Sequence, residues 1–260
     1  MGFRVVIPAR HAASRLPGKP LLPLAGRPMI AHVHDCARQS GAQTVIVATD
    51  DARIEKAAAA FGAEVRMTAD THRSGTDRLA EVVAMENWPD DAIVVNLQGD
   101  EPLMPAACIR QVAETLAARP EADMATLCTP IRSPQELFDP HVVKVVRDAQ
   151  ENALYFSRAP IPWHRDEFAG DPDTLPADTP FLRHIGLYAY RAGYLREFVA
   201  AAPSPLELAE SLEQLRVLWH GGRIAVPVAV ETPGPGVDTP DDLARVEHII
   251  LKRTASEAGS

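Results

Sequence analysis

The sequence predicts an α/β fold, with a mostly parallel sheet in a single domain and a mixed or antiparallel extension. Short apolar runs rich in β-branched residues alternate with longer amphipathic runs over the first half of the chain. Gly41 and Gly62 follow the first two amphipathic runs, as glycine commonly does at helix ends. The alternation then stops, and strand-like runs follow one another without clear intervening helices, which predicts antiparallel pairing.

The first half of the chain is predicted to be built from βαβ units. The strand-like runs are residues 3–7, 44–48, 92–97 and 125–128. The helical patterns cover residues 29–39, 51–61, 74–86 and 105–118. Because helices separate these strands, parallel pairing is expected.

The second half is predicted to begin with three strands, at residues 142–146, 153–156 and 185–190. Residues 163–180 are rich in proline and aspartate, which indicates an exposed loop. Helices are predicted at residues 192–201 and 206–219, a strand at 223–230, and a last helix at 240–252. A flexible tail is expected over residues 253–260.

The composition is that of a globular protein with a substantial core, since 46% of the residues are hydrophobic and 23% are charged. A net charge of −9 argues against a nucleic-acid-binding protein, which needs broad attraction to phosphates. No apolar run approaches the roughly 18–20 residues that cross a bilayer. The start of the chain lacks the pattern of a signal peptide, so a cytoplasmic protein without a membrane partner is expected.

The three cysteines, Cys36, Cys108 and Cys128, are odd in number and far apart. This spacing predicts neither a disulfide framework nor a zinc site. They are expected to be reduced thiols that fill space in the core.

The first 34 residues contain five Lys or Arg residues and no Asp or Glu. Arg10, Arg15 and Lys19 lie in the loop after the first strand, where open α/β sheets bind ligands. The loop is not a P-loop, because Lys19 is followed by Pro20. Its spacing predicts an anion site able to wrap a triphosphate, and a solvated basic loop is the alternative.

Asp100 follows the third predicted strand, in the sequence QGDEP (98–102). A carboxylate at the carboxyl end of a central strand is well placed to hold Mg²⁺, which takes one or two protein carboxylates. Glu101 is adjacent and is expected to point the other way. A surface turn of the Gly-Asp type is the alternative.

Asp238 is a second candidate ligand for the same Mg²⁺ ion. Thr239 is suited to cap the last helix and Pro240 to occupy its first position, which leaves Asp238 without a local role. An outer-turn hydrogen bond is the alternative interpretation. The sequence alone does not bring Asp238 and Asp100 together.

Seven stretches, in the same order along nearly the whole chain, resemble the CMP-KDO synthetases, the 3-deoxy-D-manno-octulosonate cytidylyltransferases. They are IPAR with SRLPGKPL (7–10, 14–21), SGTDR (74–78), NLQGDEP (96–102), YFSRAPIPW (155–163), RHIGLYAYR (183–191), LEQLR (212–216) and GVDTP (236–240). The departures are Ala13, His141 and the loop at residues 166–179, none of which is a proposed ligand.

The resemblance implies a nucleotidyltransferase-type, Rossmann-like domain over residues 1–252 that transfers CMP from CTP to KDO and releases pyrophosphate, for lipopolysaccharide biosynthesis. It divides the domain into a CTP-binding part (about 1–130), a sugar-acid and dimerisation part (about 131–222) and a return to the metal site (223–252). It also implies Mg²⁺ as cofactor, CTP and KDO as substrates, and a homodimer.

The resemblance assigns roles to residues of this chain in three groups. The groups that would bind the nucleotide are Arg10, Arg15 and Lys19 at the phosphates, Ser74, Gly75 and Arg78 at the cytosine, and Gln98 near the nucleotide. The sugar acid would be held by Arg158, His184, Tyr188, Glu213 and Gln214. Asp100 and Asp238 would bind Mg²⁺ and, with Lys19, carry the catalysis.

Three other functions stay open at this point. A CMP-sialic acid synthetase would share the fold and the metal site, although the 74–78 and 155–163 stretches favour the eight-carbon acid. A glycosyltransferase would use a metal-binding Asp-x-Asp, but Gln98 stands where the first Asp is needed. A nucleotide-binding regulatory protein would need the Lys19 loop but would have no reason to place acids at both Asp100 and Asp238.

Overall fold

The structure is a computed structural model and describes residues 2–12, 16–170 and 174–258 of the chain. The strands in these ranges are β1 (Phe3–Ala9), β2 (Pro23–Leu24), β3 (Arg27–Pro28), β4 (Thr44–Thr49), β5 (Glu64–Met67), β6 (Ile93–Asn96), β7 (Met124–Pro130), β8 (Lys144–Arg147), β9 (Ala153–Ser157), β10 (Leu182–Arg191) and β11 (Ile224–Ala225). The α-helices are α1 (Met29–Gln39), α2 (Ala52–Ala60), α3 (Gly75–Met85), α4 (Ala106–Ala118), α5 (Pro134–Phe138), α6 (Glu167–Gly170), α7 (Ala192–Ala200), α8 (Pro205–Glu210), α9 (Leu215–Trp219) and α10 (Pro240–Ala258).

One nine-stranded sheet organises the protein and confirms the predicted α/β fold. Its strand order is β11-β7-β10-β6-β1-β4-β5, and β8 and β9 extend it beside β10. β1 is parallel to both β6 and β4, β4 is parallel to β5, and β11 is parallel to β7. β10 runs antiparallel to β6, β7 and β8, and β8 runs antiparallel to β9. The sheet is therefore mixed around β10 and parallel beyond it, as predicted.

β10 stands between two strands of the nucleotide-binding half that the sequence predicts. Tyr188 on β10 pairs with Asn96, the last residue of β6. On the other side His184 pairs with Cys128 of β7, and the register shifts between Ile185 and Ala189. The main-chain ladder thus fixes the second half of the chain against the centre of the first.

Helices cover both faces of the sheet, because its central strands are apolar on both sides. On β1, Val5 and Ile7 pack into one core layer with α1, α2 and α4, while Val6 packs into the other with α3, α7 and α9. All three of these strand side chains are fully buried. Such continuous burial is typical of strands inside a parallel sheet.

The predicted elements of the first half agree closely with the structure. The predicted helix at residues 29–39 coincides with α1, and Asp51 and Ser74 cap α2 and α3 through their side chains. The sequence analysis does not predict β5 or α5. β5 is short and only partly buried, so its periodicity is weak.

The single helix predicted at residues 206–219 is wrong, because the chain forms α8 and α9 with a break between them. Ser211 adopts a left-handed conformation, φ 52°, which ends α8. The resulting turn carries Glu213 and Gln214 before α9 begins. Apolar residues on both sides of the break preserve the helical spacing, which is why the pattern indicates one continuous helix.

Three other predicted bounds differ from the structure. The strand predicted at residues 223–230 pairs regularly only over β11, since Pro227 has no N–H with which to continue a ladder. The loop predicted at residues 163–180 contains the short helix α6. The last helix continues through Ala258, so residues 253–258 are helical and not the predicted flexible tail.

In the described part of the chain, no helix is both long and apolar enough to cross a bilayer.

The cysteine thiols lie in or against the core, as predicted, and are not disulfide-bonded. Burial raises the pKa of Cys36 and of Cys128 to about 11, so both are protonated and unreactive at neutral pH. We expect an aromatic disulfide reagent at pH 7.5 to label these two thiols slowly in the native protein and rapidly after unfolding in guanidinium. Fast stoichiometric labelling of Cys128 in the native state, located by peptide mass spectrometry, would contradict this burial.

Candidate functional site

A first cleft of about 260 Å³ opens at the carboxyl ends of β1 and β6. Its walls are the loop after β1, the start of α3, the turn after β6 and the segment before α10. The predicted site residues that line it are Arg10, Lys19, Ser74, Gly75, Arg78, Gln98, Asp100 and Asp238. Arg15 lies outside the described residues.

Lys19 stands at the centre of the charged end of the first cleft. Its Nζ donates hydrogen bonds to Asp100 Oδ2 at 2.7 Å, to the Val237 carbonyl oxygen at 2.7 Å and to Asp238 Oδ1 at 3.1 Å. Burial lowers the pKa of Lys19, but Asp100 and Asp238 raise it by more, so the net pKa lies above that of ordinary lysine. The structure therefore brings together the three residues that the sequence analysis assigns to catalysis.

Two glycines let the walls of the first cleft approach β1 closely. A Cβ atom on Gly99 would lie 3.0 Å from the Pro8 carbonyl oxygen, and one on Gly75 would lie 3.1 Å from Pro8 Cγ. Any side chain at Gly99 would push the Asp100 turn away from the strand, because main-chain atoms cannot give way easily. These glycines fix how near Asp100 and the start of α3 come to the end of β1 and the loop after it.

The start of α3 forms the wall opposite Lys19. Ser74 caps the helix, since its hydroxyl accepts from the Asp77 amide while the Asp77 carboxylate accepts from the Ser74 amide. The first amides of an 11-residue helix form a fixed positive end that suits an acceptor-rich base or an anion. The hydroxyl of Ser74 is already used by the cap, so a ligand here would meet mainly the helix end.

Arg78 is almost fully buried, and its side chain is held by hydrogen bonds within the protein. Its side chain donates to Asp50 Oδ2 at 2.9 Å and to the Thr68 hydroxyl, and the residue is 3% exposed. It still borders the first cleft. These bonds brace α3 against the ends of β4 and β5, and the predicted contact with cytosine stays a prediction.

A second cleft, of about 430 Å³, lies beside the first and is lined by β10, the turn after β6 and the segment before α10. Three of the predicted sugar-acid residues line it: His184, Tyr188 and Gln214. The Tyr188 hydroxyl donates to Gln214 Oε1 at 3.3 Å. Gln214 Nε2 is buried and, among the described residues, has no hydrogen-bond partner. An unsatisfied buried amide in a polar cleft marks a place where a ligand oxygen can bind.

His184 is held neutral in the wall of the second cleft. Burial lowers its pKa to about 3. Its Nε2 lies 3.0 Å from the Thr126 hydroxyl oxygen, and that hydroxyl donates to the main-chain carbonyls of β10. Nε2–H is therefore the donor in this contact, so the neutral His184 ring can accept a hydrogen bond from a ligand at Nδ1 but carries no positive charge at neutral pH.

Glu213 and Arg158 do not line the second cleft. Glu213 Oε2 accepts a 2.7 Å hydrogen bond from the Thr76 hydroxyl, which joins the turn before α9 to the start of α3. Burial raises the pKa of Glu213. Arg158 donates from Nε to the Glu210 carbonyl oxygen at 2.7 Å and from Nη1 to that of Pro140 at 3.0 Å. Their predicted roles with the sugar acid stay predictions.

Glu101 lines the second cleft while Asp100 lines the first, which confirms that the two acids point in opposite directions. A turn produces this arrangement, since the Glu101 amide donates back to the Gln98 carbonyl. Burial, with Asp100 and Asp238 nearby, raises the pKa of Glu101 to about 8. No role for Glu101 is predicted from the sequence. Its position in the QGDEP stretch is the signal that could have identified it as a site residue.

Arg183 is a second residue that the sequence analysis leaves without a role. It lines the second cleft, where its Nη1 lies 3.2 Å from Glu136 Oε1. It opens the RHIGLYAYR stretch, directly before His184. A guanidinium on this wall adds positive charge to a cleft whose other residues include Glu101.

The donor set at the charged end of the first cleft fits Mg²⁺. Asp100 and Asp238 both contact the Lys19 ammonium, and their side chains are 33% and 56% exposed. Carboxylate oxygens are the protein ligands that Mg²⁺ prefers, and it commonly takes one or two of them. No group of three or more His, Cys, Asp or Glu side chains placed to hold a metal occurs in the described ranges. Substrate oxygens and water would therefore complete the shell.

The model of the cytidylyltransferase family matches residues 4–224. The chain belongs to this family. Among curated relatives, the 3-deoxy-manno-octulosonate cytidylyltransferase of Nitrosococcus oceani is 56% identical over 252 residues, 96% of this chain and 97% of the relative. The enzymes of that name from Halorhodospira halophila and Pseudomonas syringae pv. tomato are 59% and 58% identical over 94% and 95% of this chain, and over 95% and 98% of their own lengths.

Solved structures agree with this membership of the cytidylyltransferase family. A CMP:2-keto-3-deoxy-manno-octonic acid synthetase complexed with CTP superposes with a TM-score of 0.87 at 43% identity, covering 97% of this chain and all of the other. A 4-diphosphocytidyl-2C-methyl-D-erythritol synthase superposes with a TM-score of 0.62 at 12% identity, over 96% of this chain and 99% of the other. The second likeness shows the fold alone.

Proposed function

We propose that the protein is an Mg²⁺-dependent cytidylyltransferase that transfers CMP from CTP to KDO, giving CMP-KDO and pyrophosphate for lipopolysaccharide biosynthesis. The observation that carries the proposal is the meeting of the two clefts at one turn. Asp100 faces the first cleft, with Lys19 and Asp238, and Glu101 faces the second, with Gln214 and Tyr188. A nucleotide in the first cleft and a sugar acid in the second would be adjacent at the Asp100–Glu101 turn.

The residues of the first cleft suit phosphate binding and charge neutralisation. Arg10 and Lys19 would neutralise the phosphates of CTP, and the positive end of α3 would face the cytosine. Mg²⁺, held by Asp100 and Asp238, would withdraw negative charge from the phosphate oxygens. The anomeric hydroxyl oxygen of KDO would attack the α-phosphorus in line, its proton would pass to solvent, and the bond from that phosphorus to the bridging oxygen of pyrophosphate would break. This transfer needs no covalent nucleophile.

The second cleft suits a hydroxylated acid. Gln214 Nε2 can donate a hydrogen bond to a sugar oxygen, the neutral His184 imidazole and the Tyr188 hydroxyl oxygen can accept hydrogen bonds from sugar hydroxyls, and Arg183 offers positive charge. Several fixed polar groups favour the substrate that pairs with all of them, because an analogue lacking one partner leaves a buried group unpaired. The curated relatives at 56–59% identity are named for the same eight-carbon acid.

Pyrophosphate release with a panel of acceptors tests the proposal. The wild-type chain with CTP and Mg²⁺ is expected to turn over KDO far faster than N-acetylneuraminic acid, neutral sugars or sugar 1-phosphates. Omission of Mg²⁺ with EDTA present is expected to stop the reaction. Preference for a neutral sugar or a sugar 1-phosphate would overturn the acceptor, and full activity in EDTA would overturn the metal.

We propose that the chain acts in the cytoplasm as a homodimer whose interface lies within residues 131–222. Large apolar side chains in that region support the dimer, since Leu154 on β9 is 61% exposed and Leu208 on α8 is 69% exposed. Exposed apolar residues of this size commonly mark interfaces. Light scattering coupled to size exclusion would give twice the chain mass of 28.2 kDa if this is right, and the single-chain mass if it is wrong.

Arg158 is expected to contribute to the binding of the sugar carboxylate. Charged hydrogen bonds contribute roughly 1.5–3 kcal/mol each, so Arg158→Ala should raise the KM for KDO by about ten- to a hundredfold. Arg158→Lys keeps the charge but loses the planar fork, and it should recover only part of this. The KM for CTP should change little in either variant.

The matched control for Arg158 is Arg196→Ala, which removes an arginine paired with Asp90 away from both clefts. Steady-state kinetics with KDO and CTP varied separately distinguishes the roles. An unchanged KM for KDO in Arg158→Ala would assign this arginine only to the carbonyl contacts seen with Glu210 and Pro140.

A further inference from the structure

Lys19 has no N–H left for a phosphate in the nucleotide-free protein. An ammonium group has three N–H donors, and those of Lys19 are directed at Asp100 Oδ2, Asp238 Oδ1 and the Val237 carbonyl oxygen. The side chain is 13% exposed. To reach a phosphate, Lys19 must leave at least one of these three acceptors.

Two of these acceptors are the carboxylates that fit Mg²⁺. An ammonium group 2.7 Å from Asp100 Oδ2 and 3.1 Å from Asp238 Oδ1 occupies the space between them. A divalent cation in the same space would be repelled strongly by the ammonium at such short range. Lys19 and a metal ion are therefore alternatives at this position.

Hydrogen bonds that do not involve Lys19 also hold the main chain around the two carboxylates. The Val237 amide donates to the Asp100 carbonyl oxygen at 2.9 Å, which ties the segment before α10 to the turn after β6. The amides of Asp238 and Thr239 donate to Asp242 Oδ2 at 3.2 and 3.0 Å. Departure of Lys19 would thus leave Asp100 and Asp238 near each other.

We propose that Lys19 occupies the metal site until the nucleotide arrives and then exchanges its carboxylate contacts for the phosphates. The proposal rests on the metal ligands given under the proposed function. It makes the binding of metal and the binding of polyphosphate cooperative: a phosphate that attracts Lys19 vacates the carboxylates, and a metal ion that takes the carboxylates releases Lys19 for the phosphate.

Mn²⁺ alone, without nucleotide, is the probe for the first test. The dissociation constant of Mn²⁺, measured by electron paramagnetic resonance of the free ion, is expected to fall at least about tenfold in Lys19→Met relative to wild type. Arg27→Met is the matched control, because Arg27 is an exposed arginine of the same cationic segment and is paired with Asp35. It should bind Mn²⁺ as wild type does. Lys19→Gln, also neutral, should behave as Lys19→Met and replaces it if that variant folds poorly.

The double variant Lys19→Met/Asp100→Asn separates this proposal from the metal site itself. It should lose the gained affinity. If it binds Mn²⁺ as tightly as Lys19→Met, the ion is not at Asp100, and the metal assignment fails. If Lys19→Met and wild type bind Mn²⁺ equally while Asp100→Asn binds it less, the metal site stands and the exchange by Lys19 is overturned.

A second test uses the wild-type protein. Amine acetylation of Lys19, followed by peptide mass spectrometry, should become faster when Mn²⁺ saturates the protein, because the released ammonium enters the cleft. The acetylation of Lys56 on α2, far from the carboxylates in sequence, serves as the internal reference. Unchanged labelling of Lys19 at saturating Mn²⁺ would also overturn the proposal.

Discussion

Asparagine in place of Asp100 should leave the fold intact and remove most of the cytidylyl transfer. The amide has nearly the same shape as the carboxylate, but it cannot supply the negative charge that a Mg²⁺ ion requires. We expect a loss of about 3–4 kcal/mol of transition-state stabilisation, which is roughly a 100- to 1000-fold fall in kcat/KM. Pyrophosphate release at saturating Mg²⁺, with the melting temperature measured alongside, provides the comparison with wild type.

The control for this loss is Asp90→Asn, because Asp90 is an exposed acid whose known partner is Arg196. It should retain wild-type turnover. Near-normal turnover of Asp100→Asn at saturating Mg²⁺ would show that Asp100 is not a metal ligand. A variant that is inactive because it is unfolded would be recognised by its melting curve.

Methionine in place of Arg216 should destabilise the protein more than any surface substitution. Arg216 Nε and Nη2 donate to the two oxygens of Glu207 at 2.8 and 2.5 Å, and both side chains are about nine-tenths buried. The guanidinium also covers the Phe198 ring, 4.6 Å from its centroid. Removal of one partner from such a pair typically costs about 3–5 kcal/mol, because a buried charge is left unpaired. For a chain of this size the melting temperature should fall by roughly 6–20 °C.

The double variant Arg216→Met/Glu207→Gln should recover part of that loss, since glutamine removes the orphaned charge while keeping an oxygen for the Ser204 amide. Scanning calorimetry of the single and double variants measures the recovery. Because α9 starts directly after Gln214, the single variant should also raise the KM for KDO. A single variant as stable as wild type, or a double variant less stable than the single one, would contradict this account.

The βαβ half of the fold follows from local signals, but the meeting of the candidate catalytic residues does not. The end signals of α1, α2 and α3 lie within a few residues of each helix, so their bounds can be read from sequence. Asp100 and Asp238 lie 81 and 219 residues from Lys19, and only the assembled sheet and the docking of the segment before α10 place all three together. Sequence identifies each of them as a candidate without indicating that one ammonium joins them.

The hydrogen-bond partners of Arg158 could not be predicted from the sequence, because they come from distant parts of the chain. The sequence shows an arginine on a segment stiffened by prolines, and this pattern favours a role in binding a carboxylate. In the folded protein the carbonyl groups of Pro140 and Glu210 are close enough to engage its guanidinium. The acceptor that a long side chain contacts depends on distant segments of the chain, and local sequence patterns do not predict where those segments lie.

The pairing of the antiparallel strand β10 with β6 sets the distance between the two clefts. Tyr188 is paired with Asn96, two residues before Gln98, so the spacing between the acceptor side and the nucleotide side is set by a hydrogen-bonded register and not by a hinge. A slip of one residue would shift β10 by about 3.3 Å and turn Tyr188 to the opposite face of the sheet. Acceptor groups in this protein are therefore changed more safely by exchanging side chains on β10 than by altering its length.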